Sequence, residues 1–241
     1  MLELKKVSKA FDGLKAVKEV SLEVEADRIT GLIGPNGAGK TTIFNLVTNL
    51  YKLDQGEIVF NSKIINGLAP ERICEMGISR TFQLVKTFNN LSVEKNVVIA
   101  ALLRNTRMND AYEKAGEVLN FLNLYHHRDK YAKNLNLCER KRLEVARALA
   151  TDPKLLLLDE VMCGLNPTEI KDVMKTIVNI NKTGVGIFLI EHIMSAVMHL
   201  SEKIIVLNHG EKLAEGSSME ISKNPEVVKA YLGEEYSLVE S

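Results

Sequence analysis

Ile29-Thr30-Gly31-Leu32-Ile33 runs into Gly34-Pro35-Asn36-Gly37-Ala38-Gly39-Lys40-Thr41-Thr42, and Ile43-Phe44-Asn45-Leu46-Val47 follows. An apolar strand thus enters a glycine-rich loop and leaves as a helix, with Gly34, Gly39, Lys40 and Thr41 spaced as G-x-x-x-x-G-K-[ST]. Backbone N–H groups converge on an anion only where no side chain intervenes, which asks for Gly34, Gly37 and Gly39. Pro35, Asn36, Ala38 and Thr42 complete the loop. The new helix turns its unpaired amides and positive dipole end toward phosphate. Lys40 is placed to reach β- and γ-phosphates, and the Thr41 hydroxyl to hold Mg²⁺. The stretch predicts a nucleoside-triphosphate site on an α/β fold.

The rest of the composition sets limits. At 241 residues the chain is long enough for one large α/β domain, or one core with a subordinate subdomain. Lysine plus arginine number 31 and aspartate plus glutamate 31, so no general charge excess argues for nucleic acid or an anionic membrane as partner. Cys74, Cys138 and Cys163 have no metal-type spacing and suit free thiols in a reducing compartment. The opening residues mix charged and apolar types, and no signal peptide is expected. Gly184–Leu200, the most apolar stretch, is interrupted by Glu191 and His192 and falls short of the roughly 18 residues a spanning helix needs. A membrane role would come through a partner.

Two antiparallel strands are expected over Met1–Phe11 and Val17–Val24, with Phe11 in the loop between them, either stacked on a purine or packed in the core. A helix over Thr41–Leu50, short strands at 56–60 and 64–65, and a helix from Pro70 to Met76 follow. Gly77–Gln83 reads as a strand ending in Gln83, whose amide has donors and an acceptor for Mg²⁺ or an attacking water. From Ser92 to about Ala150 the period becomes helical, including a helix over Glu139–Ala150 whose Arg140, Lys141, Arg142 and Glu144 read as a solvated face. The expected organisation is a core and β subdomain in 1–90 and 151–241, with an inserted helical subdomain in about 91–150.

Leu155-Leu156-Leu157-Leu158 between charged ends reads as a parallel strand buried on both faces. Asp159 sits at its carboxyl end, where α/β sheets place ligands, and is suited to Mg²⁺. Glu160, one residue on, is free to act as general base on water. Gly164-Leu165-Asn166-Pro167-Thr168 breaks the chain before a helix to about Asn181. Gly186–Ile190 is another buried strand with Glu191-His192 at its end, where His192 is positioned to donate to a γ-phosphate. A hairpin turned at His209-Gly210 and a terminal helix over Glu220–Leu232 close the chain.

Taken together, Phe11, GPNGAGKTT, Gln83 in RTFQ, LLLLDE ending at Glu160, GLNP and His192 in IEH resemble an ATP-binding cassette (ABC) ATPase subunit over nearly the full length. GISRTFQ, DEVMCGLNPTE and the ending YLGEEY are similar to the first of the two ATPases of branched-chain amino-acid importers; urea and amide importers and lipid or polysaccharide exporters carry related subunits, and repair or translation cassettes share the ATP switch. The resemblance implies a P-loop fold of ABC type, a mostly parallel core sheet with an antiparallel β subdomain. It also implies ATP and Mg²⁺, and a peripheral place on the cytoplasmic face of the membrane. Its partners would be a second ABC ATPase in a heterodimer or homodimer, two permease subunits and, indirectly, an extracytoplasmic substrate-binding protein. Lys40, Thr41 and Asp159 would bind phosphates and Mg²⁺, Glu160 polarise water, His192 steady the γ-phosphate, Gln83 sense it and Phe11 stack on adenine; Asn166 would meet the partner ATPase, and the segment near Val85–Asn90 the permease.

One segment departs. The signature LSGGQ aligns to Leu135-Asn136-Leu137-Cys138-Glu139, without the serine or either glycine. A left-handed Leu137 would cost roughly 1–2 kcal/mol, and Glu139 brings negative charge toward phosphate. A relaxed loop that contributes less is therefore expected, with a heterodimer favoured. Val161 stands where proline is usual.

Overall fold

The computed structural model describes residues 1–82 and 86–232. In chain order its elements are β1 (Leu2–Phe11), β2 (Leu14–Val24), β3 (Ile29–Ile33), α1 (Lys40–Val47), β4 (Gln55–Phe60), β5 (Lys63–Ile64), α2 (Pro70–Met76), β6 (Ile78–Arg80), α3 (Val93–Ala101) and α4 (Met108–Phe121). They continue as α5 (Leu137–Leu149), β7 (Leu155–Asp159), α6 (Pro167–Asn181), β8 (Gly186–Ile190), α7 (Met194–Leu200), β9 (Lys203–Asn208), β10 (Glu211–Gly216), α8 (Ser218–Lys223) and α9 (Pro225–Leu232). Among the described residues, 1–73 with 186–232 form one compact unit, and 74–82 with 86–185 another.

In the first unit, period-two alternation sends Leu2, Leu4, Val20, Leu22, Ile58 and Phe60 into one core face. β1 lies antiparallel between β2 (Leu4↔Leu22) and β4 (Leu4↔Ile58), with β5 beyond. Beside this antiparallel sheet runs a mostly parallel one. β3 is flanked by β8 (Ile29↔Ile187) and β9 (Ile33↔Val206), and β10 returns antiparallel along β9. All five residues of β3 and of β8 are buried, as strands covered on both faces must be. Phe44 of α1 meets Phe188 of β8 at 5.0 Å between ring centroids, which seats the helix that follows the glycine-rich loop. Ile221 and Val227 of α8 and α9 pack with Ile33 and Val206.

In the second unit, β6 and β7 pair in parallel, Ile78 with Leu155 and Arg80 with Leu157. The four leucines of β7 are fully buried. Val93 and Val97 of α3, Ala111, Ala115 and Leu119 of α4 and Leu143 of α5 are buried apolar residues at helical spacing. Ser92 caps α3, its hydroxyl accepting from the Lys95 N–H.

Several boundaries differ from the sequence reading. Phe11 is the last residue of β1, paired with Leu14 across a turn at Asp12-Gly13, because both turn residues adopt positive φ and let the ladder run three residues further than alternation alone suggests. The terminal helix is two helices: Pro225 has no N–H to continue α8, and Asn224 before it is extended. α7 was not anticipated, since its residues read as part of one apolar run. β6 stops at Arg80, and the expected end of that strand at Gln83 lies outside the described residues, as do 84, 85 and the tail beyond 232.

Candidate nucleotide site

Gly34, Gly37 and Gly39 take φ of 152°, 80° and 102°, all in the region that L side chains rarely adopt. Their reasons differ. A Cβ on Gly34 would stand 2.2 Å from the Leu207 carbonyl oxygen, and one on Gly39 2.6 Å from that of Ala16. At Gly37 it would meet nothing within 4 Å. Two glycines therefore let the loop press against the chain behind it, and the third leaves its face open. Gly39 in left-handed conformation precedes α1, and no side chain caps that helix, unlike α3, α5, α6 and α8. An uncapped start after a glycine turn is the arrangement that accepts phosphate.

Lys40 is buried and its ammonium donates to the carbonyls of Gly34 (2.6 Å) and Pro35 (3.0 Å). The cation is thus folded over the loop. Asn36, Gly37 and Thr41 are exposed, Ala38 is buried, and Pro35 and Thr42 are half-buried. Phe11 is exposed by 39 % and meets the edge of Tyr51 at 5.1 Å, which supports the ring without covering it. Tyr231 of α9 also reaches this loop; burial pushes its phenol up to about 12 although a backbone hydrogen bond with Gly34 favours the ionised form. His192 is exposed just past β8.

In the second unit Asp159 ends β7 with its carboxylate wholly buried, and the Arg80 guanidinium donates to Oδ2 at 2.6 Å. The Asp159 N–H donates to the Thr81 hydroxyl at 3.1 Å. Glu160 follows in left-handed conformation at φ 52°, largely buried, with its carbonyl accepting from the Lys141 ammonium at 2.8 Å. Lys141 and Glu144 are themselves buried, a correction to the solvated face expected of α5. Burial pushes the Glu144 carboxyl up, against the Lys86 N–H that it accepts at 3.0 Å. Charges three residues apart on a helix share a face, but their spacing does not reveal whether that face meets solvent or the interior.

The segment aligned with the signature is no relaxed loop. Asn136 caps α5, its side chain accepting from the Glu139 N–H at 2.8 Å, while the Glu139 carboxylate accepts from the Asn136 N–H at 2.9 Å and from His127 at 2.8 Å. Leu137 is the first helical residue and avoids the left-handed region. Asn166 likewise caps α6, reciprocally with Glu169. Gln83 lies outside the described residues.

The loop thus fits a triphosphate, on the evidence of its three glycines and uncapped helix. Among the described residues no group of three or more His, Cys, Asp or Glu could hold a metal ion; the Thr41 hydroxyl in the first unit and the Asp159 carboxylate in the second are each oxygen donors of the type Mg²⁺ takes. None of the described helices is long and apolar enough to cross a membrane.

Residues 17–162 match the family described as ABC transporter, and residues 211–237 that described as branched-chain amino acid ATP-binding cassette transporter. The chain is 40% identical to the high-affinity branched-chain amino acid transport ATP-binding protein LivG of Salmonella typhimurium, over 93% of this chain and 94% of that one. It is 38% identical to the probable LivG of Archaeoglobus fulgidus, over 100% and 98%. A solved ATP-binding cassette of an ABC transporter in its ADP conformation superposes with a TM-score of 0.88 at 30% identity, over 97% of this chain and 99% of that one. With a glycine-opened, uncapped phosphate loop ahead in sequence of a buried strand that ends at Asp159, and with these relatives along nearly its whole length, the chain belongs to the ABC transporter ATP-binding family.

Proposed function

We propose that this chain is the ATP-binding and hydrolysing subunit of a membrane importer for branched-chain or other hydrophobic amino acids, seated peripherally on the cytoplasmic face. The observation that carries the reading is the uncapped, glycine-opened start of α1 in a chain whose residues 211–237 are of branched-chain transporter type. The loop amides and Lys40 hold the β- and γ-phosphates, and Phe11 stacks on adenine. Thr41, Asp159 and Gln83 would hold Mg²⁺, which when bound neutralises charge on the phosphoryl oxygens. Glu160 takes a proton from the attacking water as the water oxygen bonds to the γ-phosphorus and the bond from that phosphorus to the β,γ-bridging oxygen breaks, the bridging oxygen leaving with ADP, while His192 donates to a γ-oxygen. ADP and inorganic phosphate leave.

The partners proposed are a second ABC ATPase, two permeases and an extracytoplasmic binding protein. A carboxylate built into the start of α5 favours a heterodimer, because a phosphate presented by a partner would meet Glu139. ATP hydrolysis by the purified chain, alone and then mixed with a paralogous cassette, tests this. Activity confined to the mixture is expected; cooperative hydrolysis by the chain alone would make a homodimer sufficient. Proteoliposomes holding the permeases should then take up leucine on addition of ATP, and uptake of only an unrelated solute would reject the amino-acid reading.

A further inference from the structure

Asp159 is the residue assigned above to the divalent cation, and its carboxylate already faces a cation. The Arg80 guanidinium lies 2.6 Å from Oδ2, with side-chain exposures of 5% for Arg80 and 0% for Asp159. A wholly buried carboxylate needs a compensating charge, and a charge-assisted hydrogen bond of this length supplies it. The arrangement is built by the strand pair. Register places Arg80 beside Leu157, the Thr81 N–H donates to the Leu157 carbonyl at 2.9 Å, and the Thr81 hydroxyl accepts from the Asp159 N–H. Two consecutive residues of one strand end thus hold the backbone and the side chain of the same aspartate. The guanidinium also lies 5.2 Å from the centre of the Phe82 ring, one residue before Gln83.

We propose that Arg80 is a resident counter-cation of Asp159: a positioning residue whose guanidinium pairs with the buried carboxylate until a divalent cation arrives with nucleotide, and then gives way to it. This rests on the nucleotide reading above. Arg80 and the divalent cation compete for one carboxylate, so Arg80 weakens cation binding while stabilising the cation-free chain.

The test is Mn²⁺ affinity, read by electron paramagnetic resonance, of the full chain saturated with ADP. Arg80→Gln should bind Mn²⁺ about tenfold more tightly than the unsubstituted chain, on the scale of one pK unit for an opposite charge removed from a carboxylate. Arg80→Lys, which keeps the charge, should stay close to the unsubstituted chain. A purely structural Arg80 would leave affinity unchanged or weaken it in Arg80→Gln, and either result overturns the proposal. The unsubstituted chain gives a measurement that does not depend on the variant folding: the ¹⁵Nε signal of Arg80, assigned by its loss in Arg80→Lys, should move when Mg²⁺ joins ADP and stay when ADP is added with EDTA. No movement on adding Mg²⁺ also overturns it. Failure of ADP to bind the unsubstituted chain in EDTA is a separate outcome that removes the nucleotide reading and this inference with it.

Discussion

A methyl group added at Gly34 would overlap the Leu207 carbonyl, whereas the same group at Gly37 would enter open space. Gly37→Ala should therefore lose only the roughly 1–2 kcal/mol of a left-handed L residue, while Gly34→Ala should lose more, because backbone rather than a flexible side chain must move. Urea denaturation midpoints compare the two, and equal losses would rule out the close approach. Gly37→Ala should keep the fold and weaken ATP binding, since its methyl enters the open face of the loop. Glu160→Gln should retain ATP binding and lower turnover by about 10²–10⁴, the scale for loss of a general base; unchanged turnover would remove Glu160 from that role. At this scale the sequence was highly informative about which residues form the loop, because the spacing is local. It was silent on why Gly34 and Gly39 are needed, since the carbonyls they approach come from Leu207 and Ala16, remote in the chain.

Helix starts carry the element-scale argument. Asn136-x-x-Glu139 and Asn166-x-x-Glu169 share one spacing, and both form reciprocal caps. Read as a damaged signature, the first predicted slack; read as a capping box, it predicts order, and the structure has the latter. Asn136→Ala should destabilise by about 1 kcal/mol, the usual cost of losing such a cap, as chemical denaturation would measure. Burial pushes the Glu139 carboxyl up, but the Asn136 N–H, His127 and Lys130 outweigh it and hold the group below the ordinary glutamate value. A carboxyl lowered on folding contributes stability above its unfolded value and loses it as pH falls through the folded one. Glu139→Gln should accordingly flatten the fall of stability with pH in the acid range below ordinary glutamate titration, and an unaltered acid limb would contradict this. Elements with a strong local period, such as β3, β7, β8 and α6, were legible from sequence. Lys141 and Glu144 were not, because burial of a charge depends on partners such as the Glu160 carbonyl and the Lys86 N–H that periodicity does not encode.

For the whole molecule, nucleotide binding and folding are linked. ATP at about 100 times its dissociation constant should add roughly 2.7 kcal/mol, which for a domain of this size raises the melting temperature by roughly 5–10 °C. Lys40→Ala should abolish most of that shift in a calorimetric scan, and a variant that kept it would exclude Lys40 from phosphate binding. The same ledger bears on the backbone of Glu160. Its φ of 52° is costly for glutamate and easy for asparagine or glycine, and the Lys141 bond goes to its carbonyl, which any residue supplies. Selection of this chain for heat tolerance alone would therefore drift toward asparagine or glycine at position 160, and under the role proposed for Glu160 that drift would cost hydrolysis, setting durability against turnover at one residue.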